Sequence, residues 1–215
     1  MKKISNVVVG STGLIGRKLV EKLSINQNIK LKVIVRRPIN DFPKNVEIIE
    51  VKYSDFLKSG KMPTCDHIFI CLGTTIKVAG SKKEFKKIDL DYCTSIAELA
   101  LAGGAKQVSL ISSVGADENS NNFYLKIKGR LIKNIIQMDY ETINIYQPGL
   151  LIGKRKEKRF LESIGQNISF LIDPLLVGKM NKYRSIKADS IALHMTKPKK
   201  KGINYFHYKD IIDGL

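Results

Sequence analysis

The stretch Ile4-Ser5-Asn6-Val7-Val8-Val9 reads as a β-strand and runs without a break into Gly10-Ser11-Thr12-Gly13-Leu14-Ile15-Gly16. Glycine at every third position, directly after a β-branched run, leaves few folds open. A helical pattern starts within the glycines, with Leu14, Ile15, Leu19, Val20 and Leu23 on one face. Small residues meet three needs at such a junction. Gly10 permits the tight turn, Gly13 lets backbone N–H groups approach a ligand, and Gly16 lets the helix lie close to the sheet. The helix start offers unpaired donors and the positive end of its dipole, so the ligand expected there is a pyrophosphate.

The rest of the chain repeats the strand–helix alternation. Strand-like runs fall at 31–35, 46–51, 67–71, 107–111 and 142–146. Helices are expected over 14–23, 81–102 (stopped by Gly103-Gly104) and about 124–138. Segment 56–64, with Gly60 and Pro63, is too broken to predict a helix. After Pro148-Gly149 the pattern is irregular to about residue 202, apart from a helical stretch over 188–195, and a last strand is expected over 203–208. Near-continuous β-branched strands suit burial on both faces. The expected fold is therefore α/β, a doubly wound parallel sheet of the NAD(P)-binding Rossmann kind. One domain over 1–215 carries a small C-terminal substrate-side extension, within what 215 residues can bury.

The end of the second strand selects the cofactor. An NAD site commonly has Asp or Glu there to accept from the ribose 2′-hydroxyl. This chain has Val35-Arg36-Arg37-Pro38. Arg36 and Arg37 suit a 2′-phosphate, with Ser11 and Thr12 as further donors, so NADP(H) is expected over NAD(H). A formal net charge of +17 raises nucleic acid as a partner, with basic runs at 154–159 and 197–201. Aromatic residues are 7% and no reading motif accompanies the charge, so nucleic acid is not expected. No stretch is apolar for long enough to span a membrane. Cys65, Cys71 and Cys93 form no CxxC pair and, with scattered histidines, no metal-ligand spacing. Unpaired thiols and a short apolar start lead to a cytoplasmic placement.

A second constellation follows strand five. Ser112-Ser113 lies where ligands sit in an open parallel sheet, beyond the carboxyl ends of its strands, and so does Cys71-Leu72-Gly73-Thr74-Thr75 after strand four. Tyr124 and Lys128 are neighbours on one helical face. A phenol is a poor proton carrier at neutral pH, and an adjacent ammonium favours its ionised form. Tyr124 could then move a proton while a serine hydroxyl holds a substrate oxygen. On a lysine-rich chain a Tyr–Lys spacing also arises from a solvated helix.

Together the GxxGxxG start, the Ser-Ser loop and the YxxxK helix resemble the short-chain dehydrogenases/reductases. Cys71–Thr75, Ala79–Lys82, Phe85–Tyr92, Ser112–Asp117, Asn122–Gly129 and Gln147–Gly153 are similar to the Tat-interacting-protein-like branch of its atypical members. That resemblance implies a catalytic Ser113 or Ser112, with Ser113 favoured, together with Tyr124 and Lys128. It implies Gly10, Ser11, Thr12, Gly13, Leu14, Ile15 and Arg36 at NADPH, and Leu72, Gly73 and Pro148 near its nicotinamide. Two positions depart from the branch: Lys52-Tyr53 replaces an acidic residue after strand three, and Gln147 replaces the usual Arg before Pro-Gly. The expected activity is an NADPH-dependent oxidoreductase on a small carbonyl or hydroxyl compound. The alternative is a cofactor-binding regulatory module that acts through a protein partner.

Overall fold

The computed structural model describes residues 3–153, Asp173 and residues 176–215. Seven parallel strands form its sheet: β1 (Ile4–Val9), β2 (Ile29–Val35), β3 (Val46–Glu50), β4 (His67–Ile70), β5 (Gln107–Ile111), β6 (Thr142–Tyr146) and β9 (Gly202–Phe206). Their spatial order is β3-β2-β1-β4-β5-β6-β9. In register, Asn6 lies beside His67 on β4 and Leu31 on β2. The chain therefore leaves β1 in one direction and returns beyond it in the other, which opens a crevice between the ends of β1 and β4.

Helices cover both faces. On one side lie α2 (Tyr53–Ser59), α3 (Ile76–Ala79), α4 (Lys82–Lys86), α5 (Cys93–Ala102) and α6 (Phe123–Ile136). Phe85, Cys93, Ile96, Ile127 and Leu131 from these helices meet Ile68, Val108 and Leu110 of the sheet. On the other side α1 (Leu14–Leu23), α7 (Ala188–Thr196) and α8 (Tyr208–Asp213) cover Val8, Val33, Phe69 and Tyr146. Lys22 and Asp189 pair at 2.9 Å between α1 and α7. At the rims, Ile48 of β3 and Ile203 and Tyr205 of β9 stay exposed, so the expectation of two covered faces holds only for the inner strands.

Two helices differ from expectation. Segment 56–64 contains most of α2, because Gly60 (φ +65°) closes that helix in the left-handed conformation and does not interrupt it. The single helix expected over 81–102 is α4, a π-helical turn over Lys87–Tyr92, and α5. The irregular segment after Gly149 holds a short parallel pair, β7 (Leu151–Ile152) with β8 (Ile186–Lys187), and a 3-10 turn over Gly178–Tyr183. The basic run at 154–159 lies outside the described residues.

Candidate cofactor and active site

The crevice is built first from glycine. A Cβ on Gly10 would stand 2.4 Å from the carbonyl carbon of Cys71, and its φ of +79° disfavours one in any case. A Cβ on Gly16 would stand 2.2 Å from the Gly10 carbonyl oxygen. Gly16 thus lets α1 close on the loop itself, while Gly10 lets the loops after β1 and β4 touch. Gly13 caps α1, and its N–H donates to Gly10 at 3.0 Å. Thr12 is exposed, whereas Ser11 is 1% exposed with no partner for its hydroxyl among the described residues. An unpartnered donor in a glycine cradle at a helix start fits an anionic group. Leu14 is half-buried and Ile15 buried, the latter among the α1 core residues.

Beyond β2 and β3 lies a cavity of about 550 Å³ lined by Arg36, Glu50, Val51, Lys52 and Tyr53. Arg36 lies in this lining together with Lys52, and Arg37 stands exposed next to Arg36 in the chain. Lys52 pairs loosely with Asp55, at 3.6 Å, on the protein surface. Burial pushes the Tyr53 phenol far above its usual range, and its ring stacks on Tyr92 at 5.7 Å. Tyr53 is therefore a neutral wall of the cavity.

On the far side of the crevice, Asn122 caps α6 by accepting from the Leu125 N–H. Gly129 lets the loop after β5 press onto α6, since a Cβ there would stand 2.2 Å from Asp117. Tyr124 packs its ring 5.5 Å from Phe85. Lys128, one turn later, is 5% exposed and pairs at 2.8 Å with Asp89, which is fully buried. The second Asp89 oxygen accepts from the Thr74 N–H at 2.9 Å. Burial works against the Lys128 charge, but Asp89, then Tyr124 and Cys93, outweigh it and hold the ammonium above its ordinary range. Gly73 lies against this pair: a Cβ there would be 3.2 Å from Asp89 Oδ1 and 3.3 Å from Lys128 Nζ. Leu72 is half-buried and its carbonyl faces the Cys93 thiol at 3.8 Å.

The two serines part company. Val108 and Leu110 of β5 face the α6 side, while Ile111 packs on the α1 side. Strand-like bonding continues past β5, with Ser112 N–H donating to Tyr146 and Val114 N–H to Pro148. Alternation therefore turns Ser112 towards α6 and Ser113 away from it. Ser112 is 6% exposed, and its hydroxyl has no partner among the described residues. The Ser113 hydroxyl donates to the Val114 carbonyl at 3.4 Å. Gln147, also buried, reaches the Ser113 carbonyl at 3.4 Å. Burial raises each of the three free thiols, Cys65, Cys71 and Cys93, to about 12, so none is a thiolate nucleophile at neutral pH.

Asp89 and Lys52 are the site residues that motif reading misses. Asp89 carried a signal: it falls four residues from both Phe85 and Cys93, on the buried face of its helix, where a lone carboxylate needs a cation.

A parallel sheet with a glycine turn after β1, a basic cavity beyond β2 and β3, and Tyr124 and Lys128 on one face of α6 defines a dinucleotide-binding protein of the NAD(P)-binding Rossmann type. The chain belongs to the NAD(P)H-binding family, whose model matches residues 10–147. It is 34% identical over 173 residues to the mitochondrial protein FMP52 of Candida albicans, covering 77% of this chain and 75% of the relative. It is 32% identical over 165 residues to protein HTATIP2 of Rattus norvegicus, covering 74% of this chain and 67% of the relative. Among solved structures, human epimerase family protein SDR39U1 with NADPH superposes with a TM-score of 0.60 at 16% identity, over 90% of this chain and 69% of that one. A putative NAD-dependent epimerase/dehydratase from Bacillus halodurans gives 0.64 at 18% identity, over 94% and 92%. Several fungal relatives carry "mitochondrial" in their names, which overturns the cytoplasmic placement. That expectation failed because unpaired thiols indicate a reducing environment and not which membrane encloses it.

Proposed function

We propose that the protein is an NADPH-dependent oxidoreductase acting on a small carbonyl or hydroxyl compound, the whole chain serving as one domain. The observation that carries this reading is the buried Lys128, one turn from Tyr124 and against Gly73 at the crevice between β1 and β4. Gly10, Ser11, Thr12, Gly13, Leu14 and Ile15 would hold the pyrophosphate. Arg36 with Lys52 would hold the 2′-phosphate, two cations against the single Glu50 carboxylate of that cavity. Leu72, Gly73 and Pro148 would border the nicotinamide.

When bound, NADPH supplies the hydride. Tyr124 gives its phenolic proton to the substrate oxygen, and Lys128 steadies the negative charge left on the phenol. A serine hydroxyl donates to the same oxygen, and the orientation towards α6 supports Ser112 over Ser113 in that role.

NADPH fluorescence titration and loss of absorbance at 340 nm across aldehydes, ketones and quinones test the reading. NADPH should bind at least about tenfold more tightly than NADH, a difference of ~1.4 kcal/mol, and Arg36→Ala should narrow that gap. Tyr124→Phe should remove turnover and spare binding. Ser112→Ala should cost turnover about a hundredfold, in the range of a lost catalytic hydrogen-bond donor, and Ser113→Ala much less. Equal affinities for the two cofactors would refute the preference. Tight binding with no oxidation in any well would point to the regulatory alternative.

A further inference from the structure

Asp89 has no place in the Ser–Tyr–Lys scheme, yet it is the most deeply enclosed ionisable group of the site. Three parts of the fold converge on it. The π-helical turn between α4 and α5 carries it, α6 supplies the Lys128 ammonium at 2.8 Å, and the loop after β4 supplies the Thr74 N–H at 2.9 Å. Gly73 leaves just enough room for the pair. Resting on the cofactor reading above, we propose that Asp89 is the positioning residue of the site. Its carboxylate anchors the Lys128 ammonium beside Gly73, at the height where the nicotinamide half of the dinucleotide would lie.

The chemistry follows from the donor count. An ammonium has three N–H donors, and Asp89 engages it from one side, leaving donors for the ribose hydroxyls of a bound nucleotide and for Tyr124. Without a fixed partner, a four-carbon side chain would surrender this placement to its own rotamer freedom. The groups facing the ammonium are Asp89 and Cys93 from the π-helical turn and α5, and Tyr124 from its own helix. With the carboxylate gone, burial alone would act on Lys128 and favour the neutral amine.

The test compares NADPH with 2′,5′-ADP, which carries the adenosine half and no nicotinamide. Asp89→Asn keeps the shape and removes the charge. It should weaken NADPH about tenfold at pH 7.5 and progressively more by about pH 9.5, as Lys128 gives up its proton, while wild-type affinity stays level. Affinity for 2′,5′-ADP should stay within about twofold of wild type. A residue that only supports the fold would lower Tm and leave the NADPH dissociation constant and its pH profile unmoved, which would overturn the proposal. In a Lys128→Met background, further change of Asp89 to Asn should leave NADPH affinity where Lys128→Met put it. That pair also removes the buried charge together with its partner, so it remains measurable if Asp89→Asn alone folds poorly. An additional loss of affinity in the double variant would mean that Asp89 acts independently of Lys128 and would also overturn the proposal. Wild-type protein that binds neither molecule would overturn the cofactor reading itself, and the role of Asp89 with it.

Discussion

Gly10 (φ +79°) and Gly80 (φ +84°) both adopt the left-handed backbone that a Cβ disfavours. They differ in surroundings. A Cβ at Gly10 would stand 2.4 Å from the Cys71–Leu72 peptide, whereas nothing among the described residues lies within 4 Å of one at Gly80. Gly80→Ala should therefore cost only the conformational strain, about 1 kcal/mol. Gly10→Ala adds backbone overlap and should cost about 3 kcal/mol, because main chain cannot step aside as a side chain does. Urea midpoints for the two variants check the difference, and a Gly10→Ala protein as stable as Gly80→Ala would mean that the two loops do not touch. Residues of this kind are legible in a sequence because their identity is forced by backbone geometry. Asp89 was harder to read, since an acidic residue flanked by Ile88 and Leu90 looks like one more surface charge until its partner across the fold is known. Lys52 stands out in the sequence only as a departure from a family pattern, and Arg36, which lines the same cavity, comes from a different strand end. Pairings across the fold leave no local trace.

At the scale of elements, the long helix between β4 and β5 shows what periodicity reveals and what it hides. Phe85, Asp89, Cys93 and Ala97 are all buried and recur every four residues, a longer repeat than the 3.6 of an α-helix. A regular helix would carry that row around its surface. The wider π-helical turn over Lys87–Tyr92 offsets the drift and keeps the row facing the core. The apolar pattern was enough to predict a helix over 81–102, but a one-residue expansion leaves composition and propensity unchanged and so escaped notice. Deleting Lys87, an exposed residue of this turn, should restore regular winding and swing Phe85 off Tyr124 by about one residue's rotation, 100°. Helical circular dichroism should survive, while stability should drop by about 3 kcal/mol, the scale of emptying a buried phenylalanine site. A deletion variant with wild-type stability would show that the expanded turn does not hold that register. The same physics explains α2: Gly60 and Pro63 looked like breakers within 56–64, but Gly60 is the terminus of a helix that begins earlier, at Tyr53.

For the molecule as a whole, parallel strands bring Gly10, Arg36, Leu72, Ser112 and Pro148 to the same rim, since each follows the carboxyl end of a strand. That is why site and fold were legible together. The middle of the sheet has its own polar arrangement, and it sets how the protein responds to acid. Across four neighbouring strands, Asn204 donates to Asn144 at 3.1 Å, and Asn144 donates to the Ser109 oxygen at 3.2 Å. The Ser109 hydroxyl is thereby free to donate to His67 Nε2, 2.9 Å away. The chain reads in one direction and ends on a ring nitrogen that must be unprotonated. Burial, with the Lys199 charge behind it, lowers His67 from 6.5 to about 3. Burial and the Lys199 and Lys197 charges lower His194, which bonds the Tyr146 hydroxyl through Nδ1, to about 4. Both folded-state values lie below the unfolded one, so below about pH 6.5 the unfolded chain takes up protons that the folded chain refuses. The histidine contribution should be full above that pH and fall as acid is added, by up to about 1.4 kcal/mol per pH unit for each histidine. Glu141, held down to about 2 by Lys201 and Lys106, adds its own loss only below about pH 4.5, its ordinary value. Lys199, lowered to about 8 by burial and the Lys197 charge, has taken up its proton by about pH 7, so denaturant midpoints between pH 7 and 5 isolate the histidines. His67→Gln, whose amide oxygen can accept from Ser109 at any pH, should keep most of the neutral stability and flatten part of the slope. An unchanged slope in that variant would mean that protonation of His67 does not drive the acid response.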